Sequence, residues 1–251
     1  MKKLSAWSSV CVIVAVIIIW EIASRLQWVP EFMLPSFTKV TQVFLSDFSL
    51  LQQHFQTTLY EALIGLFIST CLGVLLAFLM DYSTWIQHSL YPILVLSQTI
   101  PTISLAPLLV LWFGYGLMPK IILITLVCFF PMTMNVFTGL KSIDTDYLTL
   151  LTTMQATHWQ KMKYVKIPFV LPAFFTGLKI ATSYAVVGAV ISEWLGGDSG
   201  LGVYMTRVRK SFAFDKMFAV ILLTSIFSLL LVGIVTLIEK KVLHYQRKSG
   251  E

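Results

Sequence analysis

The chain has 251 residues, of which 57% are hydrophobic and 12% charged, about half the charged share of a soluble domain. Its formal charge is +6, from 18 Lys+Arg against 12 Asp+Glu. These figures exclude a disordered chain. A nucleic-acid-binding domain is excluded too, because the basic residues sit in short connectors and at the ends rather than on one soluble face. A disulfide scaffold fails because Cys11, Cys71 and Cys128 each lie inside an apolar run, where they read as small buried hydrophobes. What remains is a polytopic membrane protein.

Lys2 and Lys3 followed by an apolar run imitate a signal peptide, but the run continues Glu21-Ile22-Ala23-Ser24-Arg25-Leu26, with no small-x-small cleavage pattern. It is therefore read as a first span, about 8–26. Glu21 and Arg25 stand one helical turn apart and are expected to pair. At 36–55, Phe37, Val40, Phe44, Phe48, Leu51 and Phe55 step by three or four. That spacing predicts one amphipathic helix, lying on the outer membrane surface or packed on the bundle. The second span is placed at 62–80. Residues 82–119 contain no Lys, Arg, Asp or Glu and exceed the need of one straight helix. The third span is placed at 89–113, with a chain break at Gly114-Tyr115-Gly116, and the fourth at 121–140.

The connector 141–171 carries too many apolar residues for a solvated loop: Leu148, Leu150, Leu151, Met154, Trp159, Met162, Tyr164 and Val165. Polar Gln155, Thr157 and His158 interrupt them, predicting two short helices with a bend near 155–158. Such a surface in the cytoplasm implies a protein partner. Ile167-Pro168 and Leu171-Pro172 are expected to stop the helix and return the chain to the membrane. The fifth span follows at 172–194. An outer connector at 195–214 is rich in glycine (Gly196, Gly197, Gly200, Gly202) and ends in Arg207, Arg209 and Lys210; it suits a tight re-entrant turn. The sixth span is 217–238. In hydrocarbon every backbone polar group must be paired within the segment, so all six spans are helices.

Orientation follows the cations. With both termini cytoplasmic, Lys2, Lys3, Lys141, Lys161, Lys163, Lys166, Lys240, Lys241, Arg247 and Lys248 lie inside. Arg25, Lys39, Lys120, Arg207, Arg209, Lys210 and Lys216 lie outside. Lys179 is left to snorkel.

No catalytic site is encoded. There is no Gly-Lys dipeptide and hence no P-loop, no His-Glu-x-x-His and no Gly-x-Ser-x-Gly. His54, His88, His158 and His244 are too scattered for a metal. Glu21, Arg25, Glu61, Lys179 and Glu193 sit near span ends and read as interface anchors; for Glu193, beside Trp194, a gating role competes. Neutral polar residues deep in the spans have two readings, hydrogen bonds between helices or a weakly polar path loosened by Pro101 and Pro107. Gln98, Thr102, Ser104, Asn135 and Ser183 are the path candidates. A lining this neutral holds a substrate weakly, so selectivity is expected in a separate binding subunit.

Ile100-Pro101-Thr102-Ile103-Ser104-Leu105-Ala106-Pro107, continued through Trp112-Phe113-Gly114-Tyr115-Gly116, resembles the third-span signature of one permease family. Ser192-Glu193-Trp194-Leu195-Gly196-Gly197, with Gly200-Leu201-Gly202, fits it too, as does Leu34-Pro35-Ser36. The family is the binding-protein-dependent ABC importer permeases of the nitrate, sulfonate, taurine and thiamine-pyrimidine-precursor branch. The resemblance implies an all-α, type I importer fold with coupling helices between spans 4 and 5. It also implies a second permease copy, two ATPase subunits that use ATP and Mg, and an extracellular or lipid-anchored solute-binding protein, with no cofactor bound by this chain. The family's Glu-Ala-Ala falls on Thr149-Leu150-Leu151. Its bend glycine falls on Gln155, followed by Ala156, Thr157, His158 and Trp159. The motif is degenerate here, since Gln in a left-handed bend costs about 1 kcal/mol. Glu193, Arg207, Arg209 and Lys210 become candidates for the gate or for docking the binding protein. The resemblance points to hydroxymethylpyrimidine as the solute, with aliphatic sulfonate, taurine or nitrate as alternatives. A secondary carrier is the reading from another class. It is disfavoured by the lack of deep charges and of an inverted repeat.

Overall fold

The computed structural model describes residues 2–30 and 32–244. Arg247 and Lys248, counted above for orientation, lie outside these. Among the described residues all regular structure is helical: α1 (Lys2–Arg25), α2 (Phe37–Ser46), α3 (Phe48–Tyr82), α4 (Thr84–Ser97), α5 (Thr102–Phe113), α6 (Leu117–Lys141), α7 (Thr145–Thr153), α8 (His158–Lys161), a π-helical turn (Met162–Lys166), α9 (Ile167–Glu193), α10 (Leu201–Lys210) and α11 (Phe214–Val242). α3, α6, α11 and the continuous run α8 through α9 are each long and apolar enough to cross a membrane. The pair α4–α5 passes the same test jointly, and α1 occupies the first expected span.

The core is α6 wedged between α3 and α9. Small side chains make this approach close: Ala181, Ala185 and Ala189 form one stripe of α9, packed with Ala62, Ile124 and Cys128. Gly177 lets α9 approach α6 so closely that a Cβ there would sit 3.0 Å from Asn135 Cβ. α11 adds to α9, and the ion pair of Lys179 with Glu239, 3.0 Å, joins them. Lys179 is thus partnered by another helix rather than snorkelling free.

Several expectations are revised. The helix expected over 36–55 is two helices broken at Asp47. The Asp47 N–H closes α2 on Val43 O. Its carboxylate is taken by Tyr204 Oη and Lys216 Nζ, each at 2.7 Å, and 48–55 become the first turns of α3. The span expected at 89–113 is not one helix: α4 and α5 meet at 100°. Pro101 lacks an N–H and pushes Ile100 out of helical conformation. The break at 114–116 is present, with Gly114 at φ 75° and Gly116 at φ 133°. The prolines at 168 and 172 do not stop the helix. Pro168 lies in the first turn of α9, where a missing N–H costs little, and the π-turn before it absorbs the mismatch. Of the cysteines only Cys128 is buried; Cys11 and Cys71 lie on outward helix faces.

Candidate translocation, coupling and connector sites

The segment between α6 and α9 is a helical elbow. Asp144 caps α7, accepting from Asp146 N–H at 2.9 Å. Thr157 and Gln160 form a reciprocal capping box that starts α8. Between them Gln155 adopts φ 54°, so the left-handed bend survives without glycine. Ala156 N–H to Leu151 O, 2.9 Å, closes the turn. Lys161 Nζ to Thr152 Oγ1, 2.8 Å, ties the two short helices. The elbow presents Leu150, Met154 and Trp159 outward, the last two each 69% exposed. Thr149, Gln155, Thr157 and His158 are exposed beside them, while Leu151 and Ala156 are half-buried. Asp81, at the end of α3, pairs with Lys166 of the π-turn and lies 3.8 Å from Lys141 of α6. It anchors the elbow to both helices, a role sequence reading missed.

The bend between α4 and α5 faces α6 and α9 across a cavity of about 260 Å³. Its lining brings together Gln98 and Thr102 with Ser97, Tyr184 and Gly188. Ser104, Asn135 and Ser183 do not line it. Asn135 donates to Pro131 O at 2.8 Å and Ser183 to Lys179 O at 3.4 Å. Thr133 and Thr182 likewise bond carbonyls of their own helix. Many of these groups therefore satisfy themselves within one helix, not between helices. Tyr184 was missed because one exposed aromatic on a long apolar helix carries no sequence signal.

At the connector end the chain buries charge that was expected at the interface. Glu61 of α3 and Glu193 of α9 are fully buried and Lys120 of α6 nearly so. They are not interface anchors. Lys120 Nζ lies 2.7 Å from Glu61 Oε1. Glu193 Oε1 accepts from Thr58 Oγ1 at 2.7 Å and Oε2 from Gly202 N–H at 2.6 Å. Thr58 Oγ1 accepts from Leu201 N–H, and His54 Nδ1 from Gly200 N–H, both at 2.9 Å. The connector thus folds back over the span ends, and α10 seals them with buried Leu201, Tyr204 and Met205. Gly200, at φ 124°, is packed so tightly on the Glu193 carboxyl that no side chain fits. Arg207, Arg209 and Lys210 remain exposed at the end of α10, Arg207 bonding Asp198 O at 2.9 Å.

Residues 69–244 match the model of the binding-protein-dependent transport system inner membrane component family. The chain belongs to this family. It is 40% identical over 234 residues to the formylaminopyrimidine transport permease protein ThiX of Halalkalibacterium halodurans, covering 92% of this chain and 93% of that one. It is 27% identical over 230 residues to the taurine transport system permease protein TauC of Escherichia coli, covering 89% and 84%. The MetNI methionine ABC transporter, solved in inward-facing conformations, shares the fold, with TM-score 0.66 and 19% identity over 80% of this chain and 97% of that one. The permease is therefore an inner-membrane transport component of an ABC importer, not an enzyme. Transport by this family depends on a binding protein. The resemblance read from the third span and from Ser192–Gly197 is confirmed.

Proposed function

We propose that this permease imports a pyrimidine precursor of thiamine, of the hydroxymethylpyrimidine type, delivered by its binding protein. The similarity to ThiX across nearly the whole of both chains carries this reading. The cavity at the α4–α5 bend supports it. Among the described residues its lining holds no cation and offers Ser97, Gln98, Thr102 and the ring of Tyr184. A planar neutral heterocycle is served by such hydrogen-bonding groups and an aromatic face. A sulfonate or nitrate is held more strongly by cationic donors, which this lining does not offer. The test is uptake into proteoliposomes carrying the permease, its ATPase and its binding protein. ATP-dependent accumulation of hydroxymethylpyrimidine without taurine supports the assignment. Taurine accumulation moves it to the sulfonates, and uptake without the ATPase overturns the importer reading.

In this proposal two copies of the chain form the pathway between them. Two ATPases, which alone use ATP and Mg, hold the elbows through Thr149, Leu150, Leu151, Gln155, Ala156, Thr157, His158 and Trp159. Closure of the ATPases pulls the elbows together, and Asp81 passes the movement to α3 and α6. Both termini lie in the cytoplasm. The binding protein docks on the opposite side at Arg207, Arg209 and Lys210, while buried Glu193 acts from within as part of the gate.

A further inference from the structure

The connector-end cluster has a charge imbalance that its hydrogen bonds do not resolve. Two carboxyls, Glu61 and Glu193, are buried with one ammonium, Lys120, which pairs with Glu61. All three are withdrawn from solvent. Glu61 Oε1 is taken by Lys120, but Glu61 Oε2 is buried with no hydrogen-bond partner among the described residues. Thr58, which bonds Glu193, is buried one helical turn before Glu61 on the same face of α3, so the two carboxyls are held side by side. An isolated buried negative charge is costly, and so is an orphaned buried acceptor. One proton between the carboxyls removes both costs. It leaves one carboxylate matched to one ammonium, and it turns Glu61 Oε2 from an orphan into a donor or acceptor towards Glu193.

We propose that Glu61 and Glu193 hold a single shared proton. This proton-bridged pair is the latch that fixes the glycine-rich connector and α10 onto the ends of α3, α6 and α9. The hydrogen bonds explain why the proton matters beyond the pair. Glu193 accepts from Gly202 N–H and from Thr58, and Thr58 accepts from Leu201 N–H. The position of the Glu193 carboxyl therefore decides whether the connector stays down. Loss of the proton places two like charges side by side and drives Glu193 away from Glu61, lifting the connector with it. The groups facing the pair are His54 on α3 and Lys120 on α6, with Asp198 in the connector and Tyr204 and Arg207 on α10 beyond them. His54 is already committed as acceptor to Gly200 N–H, and Arg207 reaches back to Asp198 O. Neither answers the excess charge. That the latch belongs to the gate rests on the importer reading above; that the pair holds a proton does not.

The test uses the full-length permease in nanodiscs at neutral pH. Infrared spectroscopy should show one protonated-carboxyl stretch, shifted by deuterium, that disappears in Glu61→Gln. Glu61→Gln keeps an oxygen for Lys120 and offers an amide N–H to Glu193, so it stays folded as a fixed mimic of the protonated pair. Hydrogen exchange at Gly200, Leu201 and Gly202 supplies the second readout. Protection should collapse in the wild type as the pH is raised, beyond the intrinsic change in exchange rate, and should hold in Glu61→Gln. Absence of the band in the wild type, or its persistence in Glu61→Gln, overturns the shared proton. A band with pH-independent protection overturns the latch. Transport measured alongside separates the two readings: a latch that titrates in a chain that carries nothing leaves the proton in place and removes only the gate.

Discussion

Replacing Lys120 with Met is the sharpest perturbation of the buried charge at the connector end. Methionine keeps an unbranched apolar stem but leaves Glu61 buried without its cation. In the wild type the two atoms are 2.7 Å apart, and the side chains are 6% and 0% exposed. Removing one partner of a buried pair costs about 3–5 kcal/mol, because the other charge stays buried and uncompensated. For a chain of this size each kcal/mol moves Tm by roughly 2–4 °C, so the variant should melt roughly 6–20 °C below the wild type. Arg25→Ala is the internal control. The Arg25–Glu21 pair is shorter, 2.6 Å, but its side chains are 68% and 21% exposed, and such pairs are worth about 0.2–1 kcal/mol. Thermal unfolding in detergent, followed by tryptophan fluorescence, measures both. A Lys120→Met protein that melts with Arg25→Ala would refute the argument, since the cation would then be dispensable to the buried cluster.

Leu150→Asp combined with Trp159→Asp should abolish co-purification with the ATPase while leaving the chain in the membrane, because both side chains point away from the bundle; undiminished co-purification removes the elbow from the coupling role. Gln155→Gly should stabilise the chain by up to about 1 kcal/mol, relieving the strain of φ 54° against the extra chain entropy of glycine. Gln155→Val should destabilise it, and thermal melts that rank the two in the opposite order contradict the left-handed bend. Asp47 responds to acid. Its hydrogen bond from Lys216, aided by those from Tyr204 and Ser46, holds the carboxyl below its ordinary value of 3.8. The stabilisation is therefore complete above pH about 4 and is lost as the pH falls through the lowered value. Melts between pH 5 and pH 3 should fall more steeply for the wild type than for Asp47→Asn.

The helical elbow was legible because its two signals are local. An apolar run too dense for a loop predicts surface helices, and a polar interruption at Gln155–His158 predicts where they bend. The structure puts the turn there, with Gln155 itself in the left-handed conformation. The helix at 36–55 was misread for the opposite reason. Its stripe of Phe37 to Phe55 is continuous, and only partners from distant segments, Tyr204 and Lys216, give Asp47 cause to break it. The cavity was half legible. Gln98 and Thr102 stand out as polar residues in an apolar span, whereas Tyr184 on α9 becomes a lining residue only once the α4–α5 bend faces it.

Composition and periodicity by themselves determined that the chain spans a membrane as helices, that it encodes no nucleotide-hydrolysing motif, and that an exposed apolar helical segment lies between the fourth and fifth spans. Each of these depends on hydropathy, spacing or motif within a single window, which the bilayer and the helix period make decisive. The 100° bend, the cavity it shapes and the Glu61–Lys120–Glu193 cluster were decided only by tertiary structure. Glu61, Lys120 and Glu193 each look like an ordinary residue near a span end. Their burial follows from a connector that folds back over three helix ends, and no local pattern encodes how charges far apart in the chain meet once those helices pack.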